Sequence, residues 1–157
     1  PCPCGYNSVP GKMCTCNTTK IQNYMGKISG PLLDRIDIHI EIPSVKYKEL
    51  VDNKAAENSS IIKMRIENAR ARQRERFKDD KIFHNAQMNT RLVKKYCLLD
   101  NDAQGLLRMA MTELGFSARA YDKILKISRT IADLADCETI KAEYIAEAIQ
   151  YRSLDKK

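Results

Sequence analysis

Apolar residues recur along this chain with two different periods. Between Ile36 and Ile42 the period is two: Ile36, Ile38, Ile40 and Ile42 share one face, and Asp37, His39 and Glu41 share the other. That alternation predicts a half-buried β-strand. Pro43 is expected to end it. Gly30 and Pro31 are expected to turn the chain into it, with Leu32 and Leu33 as apolar anchors and Asp34 and Arg35 as an opposite-charge pair at its entrance.

Elsewhere the period is helical. Thr18 to Met25 suits a short helix. From Ser59 to Lys78, Ile62, Ile66, Ala69, Gln73 and Phe77 recur at helical spacing, with Arg65, Arg72 and Arg76 along one flank and Arg70 and Arg74 along the other. Asn89 to Tyr96 predicts another short helix. Asp100 or Asn101 is placed to cap a helix whose Ala103, Leu107, Ala110 and Leu114 form one stripe, and Gly115 suits the position just past its end. A longer helix begins at Ser117, its core face drawn by Ala120, Ile124, Ile127, Ile131 and Leu134 and widened by Tyr121, Leu125, Ala132 and Ala135. The last, Ala142 to Tyr151, turns Tyr144, Ile145, Ala148 and Ile149 inward. A polar stretch over 51–58 reads as a hinge between a domain of residues 1–50 and a helical domain of residues 59–157.

With 157 residues and 43% apolar content, one or two small domains can bury a core, whereas a complete nucleotide-driven motor with its lid needs more chain. The sequence starts without Met inside a Cys-Pro-Cys run, so it is expected to be a C-terminal piece of a longer protein. No G-x-x-x-x-G-K-[ST] motif occurs in it, so it is not expected to hydrolyse ATP alone. A net charge of +7 permits a polyanionic partner without requiring one, because acidic residues are interspersed with the basic ones. No apolar run of membrane length and no signal-peptide pattern occurs, so no membrane partner and a cytosolic location are expected.

Candidate chemistry lies in three places. Cys2, Cys4, Cys14 and Cys16 make two C-x-C pairs flanking a turn-rich loop with Gly5, Pro10 and Gly11. They could supply four thiolates to a tetrahedral Zn²⁺, or be free thiols in a loop, since C-x-x-C is the commoner zinc spacing. Cys97 and Cys137 fit core positions, and His39 and His84 lack the second ligand at i+3 or i+4 that a metal site needs. The arginine-dense helix, with Arg65, Arg72 and Arg76, is either a phosphate-contacting face for nucleic acid or a solvated one diluted by Glu67, Glu75, Asp79 and Asp80. Arg119, in the first turn after Ser117, opposes the helix dipole but would attract a bound anion; the alternative is an exposed side chain that tolerates its place.

Four segments, PCPCG at the start, SGPLLDRIDIHIEIP at Ser29 to Pro43, SARAYDKILKISRTIADL at Ser117 to Leu134 and AEAIQYRSLD at Ala146 to Asp155, resemble the magnesium-chelatase-like AAA+ ATPases, and within them the ComM (YifB) group. The resemblance implies a mostly α chain: a helical AAA+ lid of four to five helices, preceded by the C-terminal remnant of an α/β ATPase core that includes one strand. It implies that Arg35, the arginine of an L-x-R-hydrophobic-D signature, is an arginine finger acting in trans. It further implies that Arg119, with Ser117 beside it, is the sensor-2 arginine at the ATP γ-phosphate. Cofactors implied are ATP and Mg²⁺ in the full-length protein. Implied partners are neighbouring subunits of a ring, usually a hexamer, and DNA, remodelled by helicase-like branch migration. Two further readings stay open: a metal-chelatase motor subunit, and a zinc-stapled helical module binding nucleic acid through Arg65, Arg72 and Arg76.

Overall fold

The computed structural model describes residues 1–7, 9–42, 45 and 57–152. The chain divides into two units, one of Pro1–Ile36 with Ile40–Lys54 and the other of Asp37–His39 with Ala55–Lys157. Helix is the main regular structure among the described residues and dominates the second unit, in keeping with the mostly α class expected of a helical lid.

In the first unit Asn17 caps α1 (Thr18–Met25) by accepting the Lys20 N–H at 2.8 Å. A single helical turn, α2 (Gly30–Leu33), follows with Pro31 in its first turn, where a missing N–H costs nothing. The expected strand over Ile36–Ile42 is not formed. Those residues hold no regular structure, Ile36, Ile38, Ile40 and Ile42 are all exposed, and His39 is the buried one at 7% exposure. Asp37 and Glu41 are exposed as well, so the alternation does not divide the segment into a buried and an exposed face. The physical reason is the absence of a ladder partner among the described residues: a strand's N–H and C=O groups need a neighbouring strand to bond to. The proline expected to end it, Pro43, lies outside the described residues, as does most of the expected hinge at 51–58.

In the second unit the elements are α3 (Ser59–Arg76), a 3-10 turn (Asn85–Gln87), α4 (Thr90–Tyr96), α5 (Asn101–Glu113), α6 (Ala118–Leu134) and α7 (Ala142–Gln150). The starts of α3, α4, α5 and α6 are chemically marked: Asn58, Asn89, Asp100 and Ser117 accept the N–H groups of Ser60, Leu92, Ala103 and Ala120 respectively. After α5 comes Gly115 at φ 63°, a left-handed position that glycine takes without steric cost. Past α6 the same left-handed position is held by Asp136 at φ 59°. There Cys137 N–H reaches the Ala132 carbonyl at 2.8 Å and Asp136 N–H the Asp133 carbonyl at 3.3 Å, the paired bonds of a Schellman ending.

Helix α6 is the central element, packing on α7, α3, α4 and the 3-10 turn. Ala103, Leu107, Ala120, Ile124, Ala132, Ile140, Ile145 and Ala148 are buried in the common core. Fully burying an isoleucine such as Ile124, Ile140 or Ile145 contributes roughly 1.5–3 kcal/mol. An isolated parallel bridge between Leu99 and Ile140 ties the α4–α5 and α6–α7 connections together, with Ile140 N–H donating to Leu98 O at 2.9 Å. Only the C-terminal half of α3 joins this core: Ala69 and Gln73 are buried and Phe77 stacks edge-on against Tyr96, whereas Ile62 and Ile66 are exposed.

The buried face of α6 is shifted from the one read off its isoleucines. It runs through Ala120, Ile124, Leu125, Ser128, Arg129, Ala132 and Asp133, while Tyr121 and Leu134 are exposed. Its polar members form a closed network. Arg76 of α3 grips Asp133 with both terminal nitrogens, one at 2.7 Å, and also donates to Asn85 Oδ1 at 3.0 Å. Asn85 donates in turn to Asp133 Oδ2 at 2.8 Å and Thr130 Oγ1 at 3.0 Å. Arg129 bonds Asp133 through Nε at 3.1 Å and the carbonyls of Cys137 and Glu138 through its other nitrogens. Burial pulls the Arg129 pKa down from its ordinary value, and the nearby Asp133 charge opposes that shift.

Asp133 is thus the single carboxylate facing two buried or half-buried guanidinium groups. Asp133→Ala should cost about 3–5 kcal/mol, the usual penalty for stranding buried charge. Arg65→Ala, which removes an exposed pair with Glu57, should cost about 1 kcal/mol or less. Urea denaturation of the two variants checks the contrast.

Candidate functional site

The first unit carries two features with chemical potential. Its opening loop is built from turns: Gly5 N–H donates to Cys2 O at 3.0 Å and Lys12 N–H to Val9 O at 3.3 Å. In the second of these turns Pro10 takes the position that suits a fixed φ, and Gly11, at φ 77°, takes the left-handed one. These turns bring Cys2, Cys4, Cys14 and Cys16 together, with all four sulfurs within 4.8 Å of one another. Cys2 Sγ lies 3.3 Å from Cys4 Sγ and 3.7 Å from Cys14 Sγ, and the Cys4–Cys14 separation is 3.6 Å. The four thiols are unequal. Backbone N–H groups of Tyr6 and Thr15 pull Cys4 down to about 6. Cys14 is held up at about 11: a backbone bond from Cys16 lowers it, but burial and the thiols of Cys4 and Cys2 outweigh that. Such a cluster could hold a metal ion.

The second feature is Arg35, just past α2. It is exposed, its N–H donates to Leu32 O at 3.0 Å, and its Nη1 donates to Pro31 O at 2.8 Å. The guanidinium is thereby folded back over the helical turn that precedes it.

In the second unit Arg119 occupies the second position of α6 and is exposed. Ser117, its neighbour, is the N-cap: its Oγ accepts the Ala120 N–H at 3.1 Å and its carbonyl accepts the Tyr121 N–H at 3.0 Å. The guanidinium therefore stands at the positive end of a seventeen-residue helix, where an anion is attracted by both.

Residues 56–152 match the family model described as magnesium chelatase, subunit ChlI C-terminal, and residues 1–50 match that of magnesium chelatase, subunit ChlI. The chain belongs to the magnesium chelatase family. Among curated proteins it is similar to uncharacterized protein YifB of Salmonella typhimurium, 35% identical over 157 residues, 99% of this chain and 30% of that protein. It is also similar to YifB of Escherichia coli, 32% identical over 160 residues, 99% of this chain and 30% of that protein. Competence protein ComM of Haemophilus influenzae is 37% identical over 136 residues, 86% of this chain and 26% of that protein. The chain thus spans less than a third of the length of these relatives.

Within this magnesium chelatase chain, Arg35 and the four clustered cysteines fall in the first matched region, and Arg119 with Ser117 in the second. The three arginines of α3 are placed differently. Arg65 makes a two-pronged bond to Glu57 at 3.0 and 3.1 Å, Arg72 meets Asp136 at 2.6 Å, and Arg76 is drawn into the Asp133 network with 14% of its side chain exposed. Each of these candidate nucleic-acid contacts therefore has a carboxylate partner, and Arg76 is largely withdrawn from the surface. Sequence reasoning missed that partnership and the burial of Arg129. The available signal was the i,i+4 spacing of Arg129 and Asp133 on a helix. Cys97 is buried as expected, and burial pushes its thiol up to about 12.

The position of Arg119 depends on the Ser117 cap. Ser117→Ala should cost about 1 kcal/mol by leaving the Ala120 N–H without its acceptor, and Ser117→Asp should recover most of it. Thermal unfolding followed by circular dichroism reads both variants.

Proposed function

We propose that this chain is the C-terminal part of a magnesium-chelatase-like AAA+ ATPase of the ComM type. In this reading residues 1–50 complete the ATPase core and residues 59–157 form its helical lid. ATP and Mg²⁺ bind in the full-length protein, whose other segments supply the phosphate-cradling loop, and zinc occupies the four thiols near the start. The protein works in the cytoplasm as a homo-oligomeric ring, a hexamer, and its ATP turnover drives DNA remodelling of the branch-migration or helicase kind.

The observation that carries the reading is the exposure of Arg35 and Arg119 in a chain that matches this family in both regions. Elsewhere in the fold Arg76 and Arg129 serve a buried network. A guanidinium is a planar fork of N–H donors that stays charged at any physiological pH. Placed against a transferring phosphoryl group, it stabilises the charge spread over the equatorial oxygens. Arg119 is assigned to the γ-phosphate bound by its own subunit, where the N-terminus of α6 adds to the attraction. Arg35 is assigned to the nucleotide of the neighbouring subunit. The DNA assignment is supported by the kinship with a competence protein and by the basic balance of the chain.

In the full-length protein, Arg35→Ala and Arg119→Ala should each lower ATP turnover by about a thousandfold, the low end of what arginine fingers supply. Rings mixed from the two variants should recover part of the activity, because some interfaces then combine an intact Arg35 with an intact Arg119. Unchanged turnover in either single variant, or no recovery in mixed rings, would count against the assignment.

A further inference from the structure

Residues 1–36 fold with almost no apolar core. Among the described residues of that stretch Cys2 is the one buried side chain, and α1 and α2 bury none of their residues. With so little apolar surface buried inside the segment, a cross-link within it is the main means this chain has of fixing its shape. The thiol cluster supplies the means. A zinc ion with Zn–S bonds of about 2.3 Å at the centre of a tetrahedron sets its sulfurs about 3.8 Å apart. The separations of 3.3, 3.6 and 3.7 Å, with all four sulfurs inside 4.8 Å, are close to that edge length. They are far from the roughly 2.05 Å of a disulfide. Four soft sulfur donors select Zn²⁺ over Mg²⁺, and a four-thiolate Zn²⁺ has no open position for a substrate, which makes the site structural.

From the cluster to Arg35 the backbone is a run of short helical segments. Cys16 adjoins Asn17, the cap of α1. Gly26, Lys27 and Ile28 close turns onto Gln22, Tyr24 and Met25, and Leu33, Asp34 and Arg35 onto Ser29, Gly30 and Leu32. We propose that one Zn²⁺ held by Cys2, Cys4, Cys14 and Cys16 is the folding nucleus of residues 1–36, and that its loss unfolds the segment through Arg35 while the helical unit from Ser59 onward stays folded. The folding role rests on the zinc occupancy given above and the consequence for ATP turnover on the role given to Arg35, and the two are tested apart.

The purified chain should contain one equivalent of zinc by elemental analysis. Cys2→Ser with Cys14→Ser should abolish it, and Cys137→Ser should leave it in place. Co²⁺ added to the apo protein should give the intense visible bands of a tetrahedral all-thiolate site. Zinc removal by a chelator should open residues 12–36 to proteolysis without shifting the thermal unfolding of the helical unit, and added Zn²⁺ should restore protection. Substoichiometric metal with no tetrahedral Co²⁺ spectrum would overturn the site. Bound zinc whose removal leaves the proteolytic pattern unchanged would overturn the folding role. A full-length Arg35→Ala variant that keeps both its zinc and its ATP turnover would overturn only the arginine-finger reading, so the two failures are distinguishable.

Discussion

The helical unit depends on one carboxylate. Asp133 sits near the end of α6, wholly buried, and accepts from Arg76 of α3, from Arg129 one turn earlier and from Asn85 in the 3-10 turn. Those partners come from three separate stretches of chain, so a single side chain sets the register between them. The surplus positive charge does not go unanswered, because Arg129 also spends its N–H groups on the carbonyls of Cys137 and Glu138. These carbonyls are presented by the left-handed ending at Asp136, and Asp136 in turn pairs with Arg72. Helix ending and ion network are thus one construction, in which satisfying every buried polar group matters more than any individual pair.

The arginines of this network differ in burial from Arg35 and Arg119. Arg76 and Arg129 lie in low-dielectric surroundings with fixed carboxylate and carbonyl acceptors, and their work is to join elements. Arg35 and Arg119 are exposed at the margin of a helical turn and at the head of a long helix.

The two units also solve the problem of holding a shape by different means. The second has a continuous apolar core built on α6, closed by the Leu99–Ile140 bridge. The first has four sulfurs gathered by tight turns and little else buried. Ile36, Ile40 and Ile42 of that unit, and Ile38 between them in sequence, have no neighbouring strand among the described residues and remain exposed instead of forming a sheet face.

Local chemistry in the sequence was enough to place six of the seven α-helices among the described residues, the single turn Gly30–Leu33 being the exception. Caps at Asn89, Asp100 and Ser117, the glycine after α5 and the inward stripe of α7 are properties of a few adjacent residues, and the resemblance to the magnesium chelatase family was legible from short segments for the same reason. Convergence of the four cysteines was half legible, since their pairing along the chain shows but their mutual distance does not. What only the tertiary structure decided were the matters that depend on a distant partner. It set the burial of Arg129 and Asp133, the capture of Arg76 by a carboxylate far along the chain, the turning of the α6 face toward Ser128, Arg129 and Asp133 and the failure of the alternating segment to become a strand. Periodicity reports what a segment would do beside a suitable neighbour; hydrogen bonding and charge pairing across the fold determine which neighbour it has.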